Sequence, residues 1–291
     1  MRTGPDAAAF TEQDVSAFFD QTMATYLNFW DSEGVLHTGI FDGEQDEDYR
    51  AAAARTSDLI AREAGIAAGA HVLDVGCGCG NFLFRLAAET AITGAGLDLS
   101  VERIKFARAR LGELDLPEGS DITFWHGSAT AMPFGDGVFS HVVSQDALFL
   151  VPDKPRSHRE VFRVLRPGGT FAFSDFLQPR PDISARARRH VYDRVRWSSG
   201  YSLLDYQVAL ASAGFDVVLA RSLDGQISQT YRVLGKTARS RASETGDPAA
   251  RDWMLEFARS CGEIQAAIGD GEFGWGIFVA RKPALRDSEA R

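Results

Sequence analysis

The 291-residue chain is 45% hydrophobic and 24% charged, a composition that suits a soluble globular protein with one large core and a small elaboration. Its formal net charge of −9 excludes a broad nucleic-acid footprint, because neutralising phosphates requires clustered Lys and Arg. No run approaches the roughly 20 apolar residues that cross a bilayer, the first residues lack the basic-then-apolar order of a leader, and three cysteines build no disulfide framework. A cytoplasmic protein with no membrane partner is expected.

In chain order, residues 1–66 read as a helical segment rich in aromatics (Phe18, Phe19, Tyr26, Phe29, Trp30, Phe41 and Tyr49), with Ala51 to Ala54 suited to a helix interior. Residues 1–57 also hold eleven acidic side chains against three arginines. From residue 71 onward, short β-branched and aromatic runs alternate with apolar spacings of three and four, the pattern of βαβ units. The strands are expected at His71 to Val75, Thr93 to Leu99, Ile122 to Trp125, Phe139 to Ser144, Thr170 to Phe176, Phe215 to Ala220 and Trp275 to Arg281. Helices are expected at Asn81 to Glu89, Val101 to Leu111, Arg156 to Leu165 and Leu203 to Ala213, with Pro167-Gly168-Gly169 stopping the third and turning it into the fifth strand.

Two stretches interrupt the alternation. Residues 178–200 carry Arg180, Arg186, Arg188, Arg189, Arg194 and Arg196 against Asp182 and Asp193. Residues 224–272 contain Trp253, Phe257, Cys261, Ile264 and Ile268 at helical steps. The expected architecture is α/β: a Rossmann-like, seven-stranded, mostly parallel sheet with helices on both faces. An N-terminal helical lid (1–66) precedes the main domain (67–291), and helical insertions are expected at 178–200 and 224–272.

The first strand runs into Gly76-Cys77-Gly78-Cys79-Gly80 and then a helix, so the glycines sit at a strand's carboxyl end, where open α/β sheets bind ligands. Glycine suits a sharp turn whose backbone approaches a ligand closely. A glycine-rich turn alone is a weak signal. The dinucleotide spacing fails, since the small residue it needs is Asn81 counted from Gly76 and Leu83 counted from Gly78, and no Gly-Lys-Ser/Thr follows for a P-loop. Cys77 and Cys79 provide only two soft ligands, so no metal is expected.

The pattern Asp74-x-Gly76-x-Gly78-x-Gly80 resembles the first motif of class I S-adenosylmethionine-dependent methyltransferases. The resemblance implies S-adenosylmethionine as cofactor. Its amino-acid portion would lie along Asp74, Gly76, Gly78 and Gly80, and its ribose hydroxyls on Asp98, 22 residues past the first glycine, with Leu99 adjoining. A carboxylate can accept both hydroxyl hydrogens. Gly127 to Phe134 resembles the loop that brackets adenine and nominates Ser128 and Ala129, although family members often carry Asp at the place of Ser128. Asp136 to Val143 and Arg163 to Gly169 also match the fold.

Tyr26 to Phe41, Ser144 to Leu148 and Phe273 to Lys282 resemble the glycine/sarcosine/dimethylglycine N-methyltransferases, extending the similarity over most of the chain. That group implies N-methylation of a small amine such as sarcosine or dimethylglycine. Tyr26, Phe29 and Trp30 would form an aromatic lid over cofactor and cationic acceptor, although an aromatic stripe on a helix is also ordinary core. Gln145, at the end of the fourth strand, and His37 are the expected catalytic residues, with Gln145 also beside the cofactor. Arg194 and Arg196, beside Tyr192, Trp197 and Tyr201, are expected to bind the substrate. The same arginines suit a second reading, methylation at carbon of a prenyl diphosphate, with His37 or Glu160 removing a proton. A third keeps the cofactor site only as a scaffold. A homo-oligomer stays open.

Overall fold

A computed structural model of the chain describes residues 10–284 apart from 44, 46 and 199, and of Phe29 the backbone only. The elements are α1 (Glu12–Phe29), α2 (Tyr49–Ala64), β1 (Ala70–Val75), α3 (Asn81–Glu89), β2 (Ile92–Asp98), α4 (Val101–Glu113), β3 (Asp121–His126), β4 (Phe139–Gln145), α5 (Lys154–Val164) and β5 (Leu165–Leu177). After these come the turn α6 (Ala185–Ala187), α7 (Leu203–Ser212), β6 (Asp216–Ser222), α8 (Asp224–Glu244), α9 (Pro248–Gly269) and β7 (Gly274–Arg281). The helices begin where side chains cap free N–H groups: Thr11 and Asp14 form a reciprocal capping box at α1, while Asp48, Ser100 and Asp153 cap α2, α4 and α5.

The seven strands form one sheet in the order β3-β2-β1-β4-β5-β7-β6. The first five pair in parallel and β7 runs antiparallel between β5 and β6. Alternation along each strand feeds two cores. Val72, Val143 and Ala172 face one layer, and Leu73, Val142 and Phe171 the other. Because central parallel strands are buried on both faces, they read as continuous apolar runs.

One expectation is corrected here. Pro167-Gly168-Gly169 does not separate α5 from β5. The strand already begins at Leu165, which pairs with Phe139, and pairing resumes at Thr170 with His141, so these three residues together with Arg166 form a bulge. Gly168 donates to the Lys282 carbonyl and Lys282 to that of Gly169, which closes the bulge against the chain beyond β7.

Within residues 1–66 the two helices have different neighbours. Leu59, Ile60 and Ala64 of α2 join the sheet's own core, whereas α1 crosses the carboxyl ends of β2 and β3. Helices α8 and α9 pack on each other, and the 178–200 insertion leans on α9. Among the described residues no helix is long and apolar enough to cross a membrane.

Candidate active site

Strands β1 and β4 are neighbours in the sheet although their connections leave in opposite directions, and at their carboxyl ends lies a cavity of about 1480 Å³, counting its open mouth. This is the crevice at a topological switch point where open α/β sheets bind their ligands.

The glycine loop forms its floor. Gly76, Gly78 and Gly80 have φ of 74°, 53° and 82°, a region that L side chains enter only at a cost. A Cβ on Gly76 would overlap the Ala147 methyl, and one on Gly80 would stand 2.6 Å from Phe124 Cζ. Gly80 is therefore required by packing at the start of α3, and it does not line the cavity, contrary to the expectation of a cofactor contact. Gly78 does line it, and a Cβ there would touch only the Arg103 guanidinium, at 3.7 Å. Its N–H donates to Asp98 Oδ2 at 2.8 Å, and Ser100 N–H donates to Oδ1 at 2.8 Å. Asp98 is thus fixed at the end of β2 with lone pairs left for a ligand.

Asp74 lies behind the loop, 2% exposed, with no hydrogen-bond donor from the described residues, yet it reaches the cavity. Burial, and then the Asp98 carboxylate, push its pKa up to about 8. A buried carboxyl without a protein partner fits the ammonium end of an amino acid. Asp98 fits a ribose, and Leu99 and Ala129 give apolar walls further along. These residues match what S-adenosylmethionine requires. Cys77 and Cys79 are buried, and burial pushes both thiols up, Cys79 to about 11, so they act as small packing residues in the turn. Among the described residues no group of three or more His, Cys, Asp or Glu is placed to hold a metal ion.

Gln145 and His37 line the same cavity. Gln145 accepts a hydrogen bond at Oε1 from Ser57 Oγ at 3.2 Å, leaving its buried Nε2 without a partner among the described residues. Burial lowers the pKa of His37, opposed by the nearby Asp146 charge. The ring is therefore neutral at pH 7. Its Nδ1 lies 3.2 Å from the Thr38 carbonyl, which can only accept, so Nδ1 carries the proton and Nε2 keeps its lone pair.

Sequence reasoning gave Asp146 no role. It accepts from Thr38 N, Ser174 Oγ and Trp275 Nε1, each at 2.7 Å, and so ties the segment bearing His37 to β5 and β7. It does this from a left-handed backbone, φ 49°, unusual for a non-glycine residue and a geometry found at sites that the surroundings over-determine.

Of the expected lid, Tyr26 and Trp30 line the cavity with ring centroids 5.8 Å apart, while the Phe29 side chain lies outside the described residues. Arg194 lines it too, its guanidinium 5.1 Å from the centre of the Phe257 ring and beside Tyr231, with no carboxylate within ion-pair distance among the described residues. The other expected substrate residues point elsewhere. Tyr192 is fully buried, donates to the Glu272 carbonyl at 2.7 Å and stacks on Trp197. Tyr201 packs on Tyr206 in the second core. Arg196 is exposed over Phe10 and Phe18. These four do not line the cavity, and neither does Ser128.

A model of a methyltransferase domain matches residues 66–197. Phosphoethanolamine N-methyltransferase 1 of Arabidopsis thaliana is 30% identical over 218 residues, 74% of this chain. The chain spans only 42% of that relative's length. The 27-O-demethylrifamycin SV methyltransferase of Amycolatopsis mediterranei is 29% identical over 253 residues, 85% of this chain and 90% of the relative. Residues 66–197 carry a class I S-adenosylmethionine-dependent methyltransferase domain. In three dimensions, a putative sarcosine dimethylglycine methyltransferase from Galdieria sulphuraria superposes with a TM-score of 0.80 at 23% identity, covering 91% of this chain and 99% of that one, which is a likeness of fold. This methyltransferase therefore takes S-adenosylmethionine as its cofactor.

Proposed function

We propose that the protein transfers a methyl group to a hydroxyl oxygen of a small, largely apolar acceptor bound under α1, with His37 as general base and Gln145 as hydrogen-bond donor to that oxygen. The carrying observation is the complementary pair on one cavity: an imidazole with a free Nε2 lone pair and an amide whose N–H groups have no partner among the described residues. A hydroxyl uses both. It gives its proton to Nε2 and accepts from the amide as its charge develops.

A bound cofactor would supply an already activated methyl group from its sulfonium, the sulfur–methyl bond breaking to leave the neutral thioether, so the protein's part is positioning and proton handling. As the oxygen–methyl bond forms, the oxygen–hydrogen bond breaks toward His37. Asp146 steadies the imidazolium that results, being the neighbouring charge that raises its pKa. Phe18, Phe19, Leu36, Phe149, Val151 and Phe176 exclude water from the acceptor. The relative from Amycolatopsis, similar in length and named as an O-methyltransferase by its substrate, supports a hydroxyl acceptor.

N-methylation of a small amine is the second reading. It is favoured by Tyr26 and Trp30, whose ring faces suit a cation, and by Arg194, whose guanidinium has no carboxylate partner among the described residues and suits the carboxylate or phosphate of such an acceptor. The prenyl diphosphate reading has less support. Arg186 pairs with Asp270, Arg188 lies over Tyr192 and Arg196 is exposed, so of the six arginines only Arg194 lines the cavity.

The test is transfer of an isotope-labelled methyl to phenols, enols, sarcosine, dimethylglycine, phosphoethanolamine and geranyl diphosphate, with the labelled atom located by NMR. Label on oxygen is expected. Label on nitrogen or carbon alone overturns the hydroxyl reading, and tight cofactor binding with no transfer leaves the scaffold reading standing.

A further inference from the structure

The loop after β3 carries Ser128 where an acidic residue is frequent in the family, and the structure supplies the missing carboxylate from elsewhere. Ser128 Oγ donates to Glu12 Oε1 at 2.7 Å, and Thr130 Oγ1 donates to the same oxygen at 3.3 Å. Ser128 is itself oriented by the Thr130 N–H at 2.9 Å. Glu12 is the first residue of α1, and it lines the cavity together with Leu99, Gly127 and Ala129. Its second oxygen, Oε2, receives no hydrogen bond from the described residues.

The attachment of α1 is built on the same face. Ser16, one turn on, donates to the Leu99 carbonyl at 3.0 Å, and Asp20, another turn on, accepts from Ser100 Oγ at 2.5 Å. Residues 12, 16 and 20 stand at steps of four, so one stripe of the helix lies across the carboxyl ends of β2 and β3. Ser16 and Asp20 hold the helix down through Leu99, Ser100 and Glu102. Of the two carboxylates in the stripe, Glu12 lines the cavity and Asp20 does not.

We propose that Glu12 is the residue that reads the adenine of the cofactor, its Oε2 accepting a hydrogen from the 6-amino group. This rests on the cofactor assignment and goes beyond it, because the reading residue belongs to the lid helix and not to the β3 loop. The cofactor's base and the closed position of α1 then stabilise each other, and by linkage the coupling is reciprocal.

The test is calorimetric binding of S-adenosylhomocysteine and of S-inosylhomocysteine, which has a 6-oxo group in place of the 6-amino group. The full-length protein is compared with its Glu12→Gln variant. A carboxylate bonds the amino group and faces the oxo group with like polarity, so the wild type is expected to prefer the adenine form by roughly tenfold to a hundredfold. The amide of Gln can present either an oxygen or an N–H₂, so the variant's preference is expected to fall within about threefold.

Hydrogen exchange gives an independent readout: the adenine form should slow exchange over Glu12–Asp20 in the wild type more than the inosine form does. A preference undiminished in Glu12→Gln, or equal affinity and equal protection by both bases in the wild type, overturns the inference and leaves the cofactor assignment intact. Failure of S-adenosylhomocysteine to bind the wild type at all overturns both.

Discussion

With the cofactor's ammonium against Asp74, binding is expected to be coupled to release of a proton. The carboxyl is 2% exposed with a pKa near 8, raised first by burial and then by Asp98, so about 0.9 of it is protonated at pH 7 in the free protein. Pairing with the ammonium of the cofactor's amino-acid portion favours the ionised form, so binding at pH 7 should expel about 0.9 proton. A released proton means that acid opposes binding. The association constant should therefore rise about tenfold per pH unit between roughly pH 5.5 and 7, then level off above 8. The assay is titration with S-adenosylhomocysteine in buffers of different ionisation heat, which reads the proton count directly. Asp74→Asn cannot release a proton and should give a flat profile. Less than roughly 0.3 proton from the wild type, or the same release from the Asn variant, would refute the placement of the amino-acid portion against Asp74.

Four further outcomes are expected. Gly76→Ala must force a side chain into positive φ and into the Ala147 methyl, costing about 2–4 kcal/mol in urea unfolding, with the midpoint lowered and the m-value unchanged. His37→Gln should lower the rate by roughly 10²–10⁴ while cofactor affinity stays within about twofold. The fall in wild-type activity below pH 6.5, where the depressed His37 pKa lies, should be absent from that variant's residual rate. Asp146→Asn turns one acceptor toward a donor among Thr38 N, Ser174 Oγ and Trp275 Nε1, and should cost about 1–3 kcal/mol by denaturant melting. It also removes the charge that raises the His37 pKa, so the acid limb of the rate profile should move to lower pH. Arg194→Met should raise KM for an anionic acceptor roughly tenfold to a hundredfold, and Arg196→Met by no more than about twofold; equal effects would refute the distinction between the two.

That last contrast shows where legibility in the sequence ends. The strands were readable to within a few residues, apart from the earlier start of β5, because a sheet buried on both faces demands β-branched and aromatic runs. Asp74, Gly76, Gly78 and Asp98 were readable because a turn of positive φ and a strand-end carboxylate leave a local spacing. The acidic excess of residues 1–57 had no evident purpose. The structure gives several of its members a partner: Asp31 and Glu33 pair with Arg50, Glu33 also with Arg110, Asp20 bonds Ser100 and Glu12 bonds Ser128. Those partners lie up to 116 residues away, beyond the reach of any periodicity.

Arg194 and Arg196 were indistinguishable for a different reason. Two residues apart on a regular helix, they would diverge by a fixed angle that sequence position predicts. Here the chain forms a π-turn over Arg188–Tyr192, then a tight 3₁₀ turn over Asp193–Val195, and Arg196 takes a left-handed conformation at φ 59°. The wide turn supplies one residue more than an α-helix would, the tight turn takes the excess back, and the left-handed residue reverses the path. Arg194 is thereby carried onto Phe257 at the cavity and Arg196 outward over Phe10 and Phe18. The same irregularity buries Tyr192 and Trp197 as a stacked pair under the insertion. These two aromatics are therefore packing residues of the insertion, and the separation of Arg194 from Arg196 follows from a backbone irregularity that propensity and charge pattern do not encode.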